Sequence, residues 1–167
     1  MTPRRFVDAD GLPFPTTILD DRGVKVHARI PPKQFASIWE LARDGERKLA
    51  TGDRRGAFVL FRHALELVSY PMTHWNASGW LLVAMGEAAI RAGDFGAARR
   101  PLLDAMACPG TVGNPWVHML LGVALFEHQD VRAPTELARA YRDGGREIFF
   151  ELDPKYLAAV ERAMTAA

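Results

Sequence analysis

Cys108 is the only cysteine in the chain, so no internal disulfide can staple the fold and any core has to come from packing. Neither sign of charge prevails: 21 Lys and Arg face 20 Asp and Glu. Without a strong field there is little to draw the protein onto phosphate backbones or anionic lipid, so neither nucleic acid nor a membrane surface is an expected partner. Long apolar runs are missing too. The most apolar stretch, WLLVAMGEAAI, is interrupted by Glu87 and is far shorter than the roughly 20 residues of a membrane-spanning helix. The opening MTPRRFVDADGLPFP is charged and leads into no apolar region of the signal-peptide kind, which makes the cytoplasm the expected location. His27, His63, His74 and His128 stand in no HExxH or paired-cysteine spacing, and GTVGNP lacks the preceding strand and the following Lys-Ser/Thr of a phosphate loop. No metal and no cofactor are expected. The pairs Arg54-Arg55 and Arg99-Arg100 fall at non-equivalent places and read as solvated faces rather than a phosphate track.

What the chain does have is an ordinary globular composition, 49% hydrophobic and 25% charged, over a length that suits one domain with a continuous core. Residues 1–33 hold Pro3, Pro13, Pro15, Pro31 and Pro32, which bias their neighbours away from helix, so this part reads as an extended arm. Within it Val24, Val26, Ala28 and Ile30 alternate with Lys25, His27 and Arg29 behind a DDRG turn. The pattern fits a short β-hairpin or an irregular arm lying on the body.

From residue 34 the period changes to about 3.6. Phe35, Ile38, Trp39, Ala42 and Leu49 share one helical face, ATGD stops that helix, and Ala57, Phe61, Ala64, Leu65 and Val68 form the stripe of a second. The same hairpin then recurs. Gly86 answers Gly45, and AGDFGAA answers TGDRRGA. A third copy keeps Gly122, but has Gln129 where glycine stood twice, and its second helix runs one residue short, with Ala133, Leu137 and Ala140 arriving early. Glycine to glycine the spacings are 41 and 36 residues, and Trp39, Trp80 and Trp116 repeat them. Two-helix units at such periods signal a solenoid, in which each hairpin covers the next. Expected hairpins span about 34–69, 76–108 and 114–143, with Asn114 as N-cap and Pro115 at the first helical position of the third. A capping helix at about 153–165 starts from Asp153 and Pro154 and turns Tyr156, Leu157, Val160 and Met164 inward.

These residues resemble the tetratricopeptide repeat, a 34-residue helical hairpin. Its small eighth residue, Gly-Asp turn and later alanine, bulky apolar and alanine positions are matched by Gly45, Gly52, Asp53, Ala57, Phe61 and Ala64. In the second unit they are matched by Gly86, Gly93, Asp94, Ala98, Leu102 and Ala105. The resemblance covers roughly residues 34–143. It implies an all-α, right-handed solenoid whose concave groove is lined from the first helix of each hairpin. On its positions Trp39, Ala42, Glu46 and Leu49 come from the first unit; Trp80, Val83, Glu87 and Ile90 from the second; and Trp116, Met119, Val123 and Phe126 from the third. Three tryptophans at one repeat position would make an aromatic ladder beside an acidic row of Glu46 and Glu87, suited to a segment with apolar and basic residues.

A narrower likeness, carried by CPGTVGNPWVH and AYRDGGREIFFELDPKYL, is to small bacterial three-repeat proteins, some of them associated with toxin and immunity loci. It implies a non-catalytic module that binds a protein or peptide, in one form an immunity protein that neutralises a toxin. Two other readings stand beside it. One is a thiol-dependent hydrolase or transferase using Cys108 and His118, although no local cysteine-protease signature surrounds either residue, and a small buried cysteine beside a packed histidine accounts for both. The other is a self-associating structural solenoid, which would form dimers; the expected state of the chain is a monomer or a weak dimer. The arm itself could fill the groove, with Phe6, Phe14, Ile18 and Val24 as cover and Arg4, Arg5, Lys25 and Arg29 against the acidic row.

Overall fold

The computed structural model describes the backbone of residues 16–19, 22 and 25–165, and the side chains of residues 22 and 28–165. Two short strands, β1 (Thr16–Leu19) and β2 (Lys25–Ala28), pair antiparallel with Thr16 opposite Ala28 and Ile18 opposite Val26. The chain enters the body at Ile30, which is buried in the first core cluster. The arm's other apolar and basic residues, Phe6, Phe14, Arg4 and Arg5, lie outside the described residues, as do the side chains of Ile18, Val24 and Lys25.

Among the described residues, the chain after Pro31 is mainly helix and turn. Seven α-helices follow among the described residues: α1 (Pro32–Ala50), α2 (Arg54–Glu66), α3 (Asn76–Arg91), α4 (Phe95–Ala105), α5 (Pro115–Glu127), α6 (Ala133–Gly144) and α7 (Pro154–Thr165). Single 3-10 turns stand at Met72–His74 and Glu147–Phe149. Each helix packs on its neighbours in the chain, and α3 also touches α5.

Local chemistry sets the helix limits. Thr51 and Gly52 end α1, Gly52 in the left-handed region at φ +88°. Asp53 then caps α2 by accepting from the Gly56 N–H at 2.9 Å, and Asp94 caps α4 through the Ala97 N–H in the same way. Asn114 Oδ1 accepts from the Trp116 N–H ahead of α5, and Asp153 Oδ1 from the Lys155 N–H ahead of α7.

The repeated glycines are where one helix admits a bulky side chain of the next. A Cβ on Gly45 would stand 2.6 Å from Phe61 Cε1, one on Gly86 would meet Leu102, and one on Gly122 would lie 2.7 Å from Leu137 Cγ. Phe61, Leu102 and Leu137 are all fully buried. The third hairpin thus keeps the same knob although its second helix is one residue short. Its turn keeps the same backbone as well: Gln129 takes φ +54° where Gly52 and Gly93 take +88° and +75°. An L side chain there is strained by about 1 kcal/mol, so Gln129→Gly is expected to stabilise the protein by roughly 0.5 to 1 kcal/mol, read as a higher urea midpoint.

Candidate functional site

The candidate face is built from α1, α3 and α5, and its residues differ in how far they are exposed. Trp39, Glu46, Trp80, Val83, Ile90, Trp116 and Phe126 are each half-buried. Trp39 stacks on Phe35 with ring centroids 6.3 Å apart, and Trp80 meets Phe61 edge to face at 5.8 Å. Those contacts rest the first two tryptophans on the core. Trp116 has no ring against it among the described residues, so the aromatic ladder does not run ring to ring into the third hairpin.

Of the expected groove residues, Ala42 and Leu49 are buried in the first core cluster, and three others are not on an open face either. Met119 and Val123 are at 0% exposure, in one core cluster with Phe149, Tyr156 and Val160 from the returning C-terminal segment. α5 is buried on nearly every side from Val117 to Leu125, so its inner stripe is core. Glu87 is the third. Its side chain is only 6% exposed and its Oε1 holds Arg91 Nη2 at 2.9 Å, so no second solvent-facing carboxylate extends an acidic row. A carboxylate is buried only when paired and hydrogen-bonded, and the i,i+4 arginine supplies that here.

Phe126 lies against Tyr156 of α7, edge to face at 5.4 Å. A polar clip holds that contact: Glu127 accepts from Tyr156 Oη–H at 2.8 Å and pairs with Lys155 Nζ at 2.7 Å, which keeps its carboxyl below the usual range. Burial, with the Glu127 carboxylate beside it, raises the Tyr156 phenol.

The Cys108 and His118 side chains each have another partner. Cys108 Sγ lies 3.7 Å from the Asp104 carbonyl, packed with Leu82 and Ala105. Burial and the nearby Asp104 charge push its thiol up to about 11, the wrong direction for a nucleophilic thiolate. His118 Nδ1 lies 2.5 Å from Glu136 Oε2, and Glu136 Oε1 accepts from Arg139 Nη1 at 3.1 Å, joining α5 to α6 inside the third hairpin. Because the folded thiol holds its proton more tightly than the unfolded one, Cys108 contributes nothing near neutrality, and stability falls as pH climbs through the alkaline range toward 11. Alkylation of the native protein by iodoacetamide is accordingly expected to be slow at pH 7 to 8, where model thiols near pKa 8.5 already react. Labelling of the folded protein at a free-thiol rate would contradict this burial.

Glu136 and Arg91 are the two residues missed by reading repeat positions alone. Arg91 was within reach through its i+4 spacing from Glu87. Glu136, 18 residues after His118, carries no local signal.

Among the described residues no group of three or more His, Cys, Asp and Glu could hold a metal ion, and no helix is long and apolar enough to cross a membrane. No protein-family model matches the chain, and no curated protein is found similar to it.

Proposed function

We propose that this chain is a non-catalytic protein-interaction module: a right-handed solenoid of three tetratricopeptide-like hairpins that takes a segment of a protein partner along α1 and α3. The observation that carries the reading is the state of Trp39 and Trp80. Both are braced by Phe35 and Phe61, yet both stay only half-buried at equivalent repeat positions. A rigid, partly open tryptophan loses little entropy on binding and offers a large apolar contact, which is why such residues dominate interface energies. Val83 and Ile90 extend the apolar strip along α3, and Trp116 holds the equivalent repeat position on α5.

The particular form of that module is a bacterial immunity protein that acts in the cytoplasm by sequestering a toxin. This narrower reading is supported by the resemblance of CPGTVGNPWVH and AYRDGGREIFFELDPKYL alone. Co-expression with the product of the neighbouring gene tests it: rescue of growth supports it, and an unaltered toxic effect counts against it. A Cys108→Ser variant is expected to bind and protect like the wild type, whereas a thiol enzyme would lose its activity.

A further inference from the structure

We infer that residues 1–15 of the chain itself lie along the tryptophan face of α1 and α3, so that a partner has to displace them; the displacement rests on the protein-binding reading above. That face is already engaged. Phe35, Trp39, Glu46, Trp80 and Glu87 each hold a contact beyond those described above, and so do Arg22 and Arg29 of the arm. The β-hairpin delivers the segment to the same place. Thr16 is opposite Ala28, two residues before the buried Ile30, and β1 lies against the 3-10 turn that leads into α3. The chain ahead of Thr16 therefore sets out from where α1 and α3 begin.

The lengths agree. From the starts of their helices Trp80 stands about 6 Å along α3 and Trp39 about 10 Å along α1, with Glu46 and Ile90 each about 21 Å along. Counted back from Thr16, an extended chain carries Phe14 up to about 7 Å and Phe6 up to about 35 Å. Phe14 is thus in range of both tryptophans, and Phe6, Arg5 and Arg4 reach Glu46 with slack. Pro13 and Pro15 favour extended backbone on either side of Phe14, so the segment loses little entropy on settling there. Arg4 and Arg5 suit Glu46, but Asp8 and Asp10 balance them, which leaves apolar contact and the tether to carry the attachment. A tether this short gives an effective concentration on the order of 1 mM, so an intrinsic dissociation constant of about 0.1 mM keeps the face covered about nine-tenths of the time. A partner then binds about tenfold more weakly than it would to the open face.

The test reads acrylamide quenching of tryptophan fluorescence in the full chain, wild type against Phe6→Ser combined with Phe14→Ser. Quenching of the double variant is expected to rise roughly twofold, because two of the four tryptophans lose their cover. The rise should vanish when Trp39 and Trp80 are both changed to Phe. A synthetic peptide of residues 1–15, added at about 1 mM to a double variant that still melts cooperatively, should restore the shielding, and the same peptide with serine at both positions should not. Equal quenching of wild type and double variant overturns the inference and leaves the protein-binding reading standing, as does a rise that the peptide fails to reverse. Quenching that is equal in both chains but falls as protein concentration rises assigns the cover to a second copy instead. If the double variant opens the tryptophans and a partner nevertheless binds it and the wild type alike, the covered face stands, and displacement falls together with the inner-face reading.

Discussion

Phe61→Ala is expected to lower stability by about 3 to 5 kcal/mol, the usual cost of emptying a fully buried aromatic site. Phe61 sits at the junction of the first two hairpins. Its ring fills the space that Gly45 leaves on α1, and it meets Trp80 of α3 edge to face. Removing it takes away the support of a half-exposed tryptophan as well as core volume, so the second hairpin should loosen with the first. Filling the same contact from the other side gives a smaller effect: Gly45→Ala forces a Cβ against the ring, at a cost of roughly 1 to 3 kcal/mol. The two changes share one contact, so their effects should not add. Urea denaturation followed by far-UV circular dichroism reads both. A Phe61→Ala midpoint within about 0.5 kcal/mol of wild type, as for a surface substitution, would contradict this packing.

The helical parts of the fold were the more legible in the sequence, because their signals are local. The Gly-Asp turns after α1 and α3, the Asn114 cap and the Asp153-Pro154 start each depend on a few consecutive residues, and each stands in the structure as a cap or turn. Even the shortened third hairpin could be read, since Leu137 arrives one residue early and still faces Gly122. The site was less legible because exposure depends on what returns over a helix from far along the chain. Met119 and Val123 occupy groove positions by repeat count, but Phe149, Tyr156 and Val160 share their cluster and make them core. Glu87 shows the opposite case: its partner was close in sequence, yet a repeat position takes no account of the residue one turn later. What remains of the expected face is concentrated on the first two hairpins, at Trp39, Glu46, Trp80, Val83 and Ile90.

The second large effect is on binding. Truncating a central, braced tryptophan typically costs 2 kcal/mol or more of interface energy, so Trp39→Ala and Trp80→Ala are each expected to weaken a partner complex by about thirtyfold or more. Trp116→Ala should cost less, because no ring among the described residues braces Trp116 and its neighbours Met119 and Val123 are core. Trp80→Phe is the control, since a phenyl ring preserves most of the contact with Phe61 and separates a binding defect from a folding one. The most direct test of the central claim is the dissociation constant of one captured partner for wild type and each single tryptophan variant, taken with variants that still melt cooperatively. The claim predicts a graded loss, with Trp39→Ala and Trp80→Ala far weaker than wild type, and Trp116→Ala and Trp80→Phe between them. Identical constants for all four variants and the wild type would contradict it.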